Sequence, residues 1–272
     1  MKVTNKLMTT LIAITLVFTF IIVGNFNVYA NTVKNTDKNK ITDIIITDEN
    51  PIYKGPNIKE YSPKENINSK SSVRTFNSLE EAVAFFRAEM VNRKGNISFI
   101  LEDTMYYDGI WKDILYSSME DYENNTSSEG DYIYRHYSSC KVTYRRYSDT
   151  QTGFEYEMSY LSAYEQEEQV DKAVKEVLDD LDIEEKDDYT KIKLIHDYIV
   201  ENIRYDYTYN NYSAYNAIID KSVVCQGFSS LTYKMFKEAG LKVRIIRGPS
   251  NGGRHAWNIV KLGDSWYNID NT

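Results

Sequence analysis

From Lys221 to the C-terminus the chain reads as one helix followed by three short strands, and three of these four elements each carry one reactive side chain. In Lys221-Ser-Val-Val-Cys-Gln-Gly-Phe-Ser-Ser-Leu-Thr-Tyr-Lys-Met-Phe-Lys-Glu-Ala-Gly240 the residues Phe228, Leu231, Thr232, Met235, Phe236 and Ala239 recur at three- and four-residue steps. That period predicts a helix with one buried face, and Gly240 is a natural C-terminal stop. Cys225 falls at the helix N-terminus. Unpaired amide N–H groups and the positive end of the macrodipole favour an anion there, so the thiol pKa is expected to fall. The same amides are placed to receive an oxyanion.

Leu241-Lys-Val-Arg-Ile-Ile-Arg247 alternates and is β-branched, while residues 248–253 read as a loop by their turn chemistry. His255-Ala-Trp-Asn-Ile-Val-Lys-Leu262 and Ser265-Trp-Tyr-Asn-Ile-Asp270 predict a hairpin around Gly263-Asp264. A four-residue loop from Lys261 to Asp264 sets His255 directly opposite Asp270; a two-residue Gly263-Asp264 turn makes them diagonal neighbours. In both registers they share a face, whereas a one-residue slip would separate them. A thiol at a helix start, an imidazole and a carboxylate in this order are the parts of a nucleophile, its base and the group that orients the base.

The runs Val-Cys-Gln-Gly-Phe, His-Ala-Trp-Asn-Ile-Val and Trp-Tyr-Asn-Ile-Asp-Asn-Thr together resemble the core of the bacterial transglutaminase-like superfamily. The segment Lys191-Ile-Lys-Leu-Ile-His-Asp-Tyr-Ile-Val-Glu-Asn-Ile-Arg-Tyr-Asp206 is similar to the helix that leads into that core, and Tyr212-Ser-Ala-Tyr-Asn-Ala-Ile to its next short helix. The resemblance covers residues 186–272. It implies an α+β fold with a papain-like core, in which the helix bearing the cysteine packs on an antiparallel sheet bearing histidine and aspartate. It also implies Cys225 as nucleophile, His255 as base and Asp270 as orienting carboxylate, with no cofactor. The chain stops at Thr272 where the family continues, so the role of Asp270 is expected to depend on a segment that could fray.

Other residues have plainer readings. Cys140 and Cys225 are an even pair, which in an exported chain can close a disulfide; the strand-like run around Cys140 favours a small buried residue instead. His196 lies within the Ile192, Ile195, Ile199, Ile203 helical pattern and reads as a structural histidine, and His136 as a strand residue. Trp257 and Trp266 read as core, or as pocket walls on the face that carries His255 and Asp270. With three histidines and two cysteines widely separated, no metal-site spacing occurs, and no calcium or phosphate loop is visible.

At the other end, Lys2 and Lys6 precede an apolar run over residues 7–24, and Val28-Tyr-Ala30 fits a cleavage site. Residues 1–30 therefore read as a signal peptide, or as a membrane anchor if uncleaved. Residues 31–74, polar and holding three of the chain's four prolines, read as a disordered linker, with a strand candidate at residues 41–47. Residues 75–185 are expected to form a small α+β unit: a Ser78-capped helix over residues 77–90, strands at 97–101, 132–147 and 154–160, and a helix at 165–181. The formal charge of −8 argues against nucleic acid as a partner. Secretion or cell-surface display points to a protein or peptide substrate outside the cytoplasmic membrane, such as envelope protein or wall peptide. The resemblance implies acyl transfer or amide hydrolysis there, with a non-catalytic binding module as the other reading.

Overall fold

A computed structural model describes residues 29–30, 43–49, 60–63, 73–102, 107–119, 129–250 and 252–272. Residues 1–28 of the expected leader and most of the expected linker lie outside these residues. In chain order the elements are β1 (Tyr29–Ala30), β2 (Ile44–Glu49), β3 (Arg74–Phe76), α1 (Leu79–Val91), β4 (Asn96–Glu102), α2 (Ile110–Ser117), α3 (Glu129–His136), β5 (Tyr137–Arg146), β6 (Gln151–Tyr160), α4 (Tyr164–Asp180) and α5 (Asp188–Asn202). They continue with β7 (Arg204–Tyr205), α6 (Ala214–Ile218), β8 (Ser222–Val223), α7 (Cys225–Glu238), β9 (Val243–Ser250), β10 (Gly253–Leu262) and β11 (Ser265–Ile269).

The first half builds a six-stranded sheet in the order β1-β2-β5-β6-β4-β3. Only β3 joins in parallel, and the other pairs are antiparallel. Along β4, Ile97, Phe99 and Leu101 are buried and alternate with the more exposed Asn96, Ser98, Ile100 and Glu102, the pattern of a strand with one covered face. Phe86 and Met90 of α1 and Ile114 of α2 pack on that face. Ser78 caps α1 by accepting the Glu81 N–H at 3.2 Å.

Three expectations need correction. Residues 44–49 fall in the expected linker but form β2 inside the sheet, where the strand candidate at residues 41–47 stood: Ile46 is buried, and the Asp48 carboxylate accepts the Tyr137 and Tyr116 hydroxyls at 2.7 and 3.0 Å. Residues 132–136, expected as strand and including His136, belong to α3. Alternation and helical period are hard to separate over so short a run, and contacts with the following helices decide it. Residues 248–250, expected as loop, extend β9, with Gly248 opposite His255 and Ser250 opposite Gly253. Gly252, at φ 79°, turns the chain back. Pro249 is tolerated because β9 is the edge of its sheet and no further strand needs its N–H.

The second half packs α7 on the antiparallel sheet β11-β10-β9. Leu231, Met235 and Phe236 of α7 meet Val243, Ile245 and Val260 of the sheet, with α4, α5 and α6 behind. The helix on an antiparallel sheet is thus the α+β arrangement expected of this part of the chain.

The α3 helix joins the halves. Tyr132 belongs to the core of the second half and stacks on Tyr233 at 5.6 Å. Its hydroxyl donates to Glu167, which also meets Arg93 at 3.3 Å and Lys234 at 3.7 Å. Burial opposes the charge of Glu167, but these cations and the Ser162 hydroxyl hold its carboxyl well below the usual range. His136 is fully buried, with Nδ1 donating to the Tyr132 carbonyl at 3.0 Å and Nε2 accepting from the Ala214 N–H at 3.4 Å.

Burial lowers the His136 pKa to about 4 from an ordinary 6.5. The unfolded chain therefore binds the extra proton first, and the stabilisation, complete above the ordinary value, is lost as pH falls from 6.5 towards 4. The loss should reach about 3 kcal/mol. Urea unfolding at pH 7.5 and 5 is expected to show about 2 kcal/mol of this loss in wild type and a smaller one in His136→Gln.

Candidate active site

The start of α7 is built by close backbone packing. Tyr205 pairs with Val223 in the parallel β7–β8 ladder, which carries the chain directly into Cys225. A loop wraps this point: the Asp206 carboxylate accepts the N–H groups of Thr208, Asn210 and Asn211, each at 2.9 Å. The Asn211 carbonyl in turn accepts the Val224 N–H at 3.0 Å. Gly227 is needed here, since a Cβ would lie 1.9 Å from Val223 Cγ2 and 3.0 Å from the Ser213 carbonyl oxygen. Any larger residue would push the helix start away from β8.

On the sheet, β10 and β11 join through a two-residue turn, Leu262 opposite Ser265 and Asn258 opposite Ile269. Gly263 supplies the required left-handed φ of 59°. Of the two registers the sequence allows, this is the one that makes His255 and Asp270 diagonal neighbours on one face. Their side chains close the gap, with His255 Nε2 2.7 Å from Asp270 Oδ2. A carboxylate only accepts, so Nε2 carries the proton and Nδ1 is left as the basic nitrogen. Trp257 lies on the same face, its ring stacked 5.9 Å from the imidazole and its Nε1 bonded to Asn268 Oδ1 at 2.8 Å. Gly248 leaves room for this ring, since a Cβ would meet Trp257 Cη2 at 2.9 Å. Trp266 is half-buried.

Beyond the Asn258 to Ile269 pair, β11 no longer covers β10, and the freed Ala256 N–H donates to the Cys225 sulfur. The nucleophile candidate therefore sits beside the residue that follows His255. The structure thus brings His255 and Asp270 into contact and sets the Cys225 sulfur within reach of the Asp270 charge. Both cysteines are free thiols, Cys140 buried in β5 and Cys225 half-buried.

The thiol does not follow the helix-start argument. Burial pushes its pKa above the ordinary cysteine value, and the Asp270 charge adds to this; the Ala256 and Gln226 N–H groups and the Arg135 guanidinium pull it back in part. The reason is that α7 begins inside the fold, where loss of water outweighs the helix dipole. Burial also opposes the charge of Asp270, yet hydrogen bonds from His255 and Thr272 hold its carboxyl below the usual range. The Cys225 amide N–H donates to the Tyr205 hydroxyl. Burial raises that phenol to about 12, so it stays protonated near neutrality.

Two asparagines that strand alternation does not single out hold the arrangement. Asn258 Nδ2 donates to the Ser229 carbonyl of α7 at 3.0 Å and to the Arg244 carbonyl of β9 at 3.3 Å. Asn271 follows Asp270 and is buried: its Nδ2 donates to Thr232 Oγ1 of α7 at 2.7 Å, and its Oδ1 accepts from His196 Nδ1 of α5 at 2.5 Å. The segment bearing Asp270 is therefore clamped between two helices. His196, a structural histidine by its helical setting, is half of that clamp. Among the described residues no group of three or more histidine, cysteine, aspartate or glutamate side chains could hold a metal ion.

Residues 175–271 match the model of the transglutaminase-like superfamily. Among solved structures, a TGase crystal structure is 14% identical with a TM-score of 0.36, over 64% of this chain and 50% of that one. The periplasmic domain of TgpA from Pseudomonas aeruginosa is 11% identical with a TM-score of 0.31, over 49% of this chain and 71% of that one. This chain thus spans half the length of the first. Among curated proteins none matches.

Asn271→Ala is expected to cost about 1–3 kcal/mol in stability by leaving the His196 Nδ1 donor and the Thr232 Oγ1 acceptor without their partner. It should also slow iodoacetamide labelling of Cys225 at neutral pH about tenfold by loosening Asp270 and with it His255. Urea unfolding and peptide-resolved labelling rates check the two effects separately.

Proposed function

We propose, from the match of residues 175–271 to the transglutaminase-like superfamily model, that the protein is an exported, cysteine-dependent acyl transferase or amide hydrolase. The observation that supports the proposal is the Cys225 thiol on the N–H of Ala256, the residue that follows His255, together with Asp270 bonded to His255 Nε2 at 2.7 Å. Because burial raises the thiol pKa, free thiolate is scarce at neutral pH, and the sulfur has to react by passing its proton to His255 as it attacks.

His255 Nδ1 takes the proton from Cys225, and the sulfur adds to an amide carbonyl. Asp270 stabilises the imidazolium this creates. The carbonyl oxygen, now an anion, takes the place of the Tyr205 hydroxyl at the Cys225 N–H or accepts from both. The imidazolium then protonates the departing nitrogen as the C–N bond breaks, leaving a thioester on Cys225. Water attacking that thioester gives hydrolysis, and an amine gives a crosslink; His255 removes the proton of the incoming group in either case. The charged start and apolar run of residues 1–30, with the Ala30 cleavage pattern, support export and a protein or peptide substrate at the cell envelope.

The deciding comparison is ammonia release from peptide glutamine by wild type and Cys225→Ala, with and without added amine. Release that requires Cys225 is expected, and a product carrying the amine marks transamidation. Iodoacetamide should label Cys225 faster than the buried Cys140, and His255→Ala should slow Cys225 at least tenfold. Slow labelling that His255→Ala leaves unchanged, with no Cys225-dependent release, would instead identify a binding module.

A further inference from the structure

The tyrosine ring of Tyr134, on α3, is flanked by two guanidinium groups. Arg247 Cζ lies 5.0 Å from the ring centroid and Arg135 Cζ 5.7 Å. The Tyr134 hydroxyl also accepts from Arg247 Nη1 at 2.8 Å. Both arginines border the Cys225 site. Arg247 stands opposite Ala256 in the β9–β10 ladder, the residue whose N–H meets the Cys225 sulfur. Arg135 is buried, and its carbonyl accepts Gln226 Nε2, the side chain next to Cys225, at 2.5 Å. Arg254, two residues before Ala256 on β10, projects from the same face by strand alternation.

Arg135 and Arg247 bring two positive charges to one ring in a chain of net charge −8. Like charges held together beside a reacting group are stabilised by a bound anion, and a guanidinium presents a planar fork of donors suited to a carboxylate. Arg247 is exposed and bonded to Tyr134 through one nitrogen. The charge of Arg135 also reaches the sulfur, where it favours the thiolate.

We propose that Arg247, held on Tyr134, forms an anion subsite beside Cys225 to which the buried Arg135 adds its charge, and that the acyl donor carries a free carboxylate next to its scissile amide. The inference rests on the reading of Cys225 as nucleophile and adds the chemistry that selects its substrate. Arg135 and Tyr134 lie outside residues 175–271, so a helix of the preceding region supplies part of the specificity.

Two alkylating probes that differ in charge test it without turnover. Iodoacetate carries a carboxylate and iodoacetamide does not. The ratio of their rates at Cys225, read peptide by peptide and divided by the ratio for free cysteine in the same buffer, should exceed one by about tenfold at low salt and shrink as salt is raised. Arg247→Gln should remove most of that excess and Arg247→Lys should keep much of it, whatever happens to the absolute rates. Arg247 is exposed, so neither change threatens the fold; Arg135→Lys serves as the charge-conserving variant at the buried position. A wild-type ratio equal to that of free cysteine, or one that Arg247→Gln leaves in place, overturns the subsite. Because the readout is a rate ratio and not ammonia release, a chain that fails as an amidase still decides this point, and an active amidase with no anion preference refutes it alone.

Discussion

The docking of α7 on β10 fixes the geometry of the Cys225 site, and buried hydrogen bonds set its register where apolar contact alone would permit sliding. Asn258 bonds α7 and β9 from β10, and Asn271 bonds α7 and α5 from the segment after β11. Each amide satisfies groups that would otherwise be buried without partners, so a shift of the helix along the sheet loses several bonds at once. The consequence reaches the chemistry directly. Cys225 begins the helix that Asn258 holds, and Asp270 precedes the residue that Asn271 holds.

A second set of buried polar contacts brings α3 into the same assembly. Asp131 receives Arg244 at 2.7 Å and the Ile245 N–H at 3.0 Å, Tyr132 reaches Glu167, and His136 meets the start of α6. Ion pairs that are taken out of water gain little net stability, because desolvation offsets their attraction. Their effect is on placement: Glu167 meets its cations and hydroxyls in only one arrangement of α1, α3, α4 and α7. The region before residue 175 is thereby joined to the helix and sheet that carry the reactive groups.

Much of this was legible in the chain. The helical period after Cys225 gives α7 with its boundaries, and Gly263-Asp264 gives the hairpin. Where reading failed, tertiary contact had overridden a local signal. Residues 132–136 are rich in aromatic and β-branched side chains that suit a strand, yet they are helical because Tyr132 and His136 find partners on α4, α6 and α7. Residues 44–49 begin with three isoleucines that suit a strand but lie in a polar stretch that reads as linker, and their place in the sheet comes from β5, which pairs with them, and Tyr137, which donates to Asp48. The roles of Asn258, Asn271, Arg135 and Arg247 leave no periodic trace, since each depends on what a distant element places opposite it.

The sequence by itself determined the thiol at a helix start and an imidazole and carboxylate on one face of a hairpin, because period, turn chemistry and strand alternation are local properties of the backbone. Only the tertiary structure decided how acidic that thiol is, which nitrogen of His255 is basic, what holds Asp270 and which charges stand at the site. Those depend on burial and on distances between residues far apart in the chain. Burial even reverses the sign expected for Cys225: a helix start favours the thiolate in water, but this helix starts where water has been excluded.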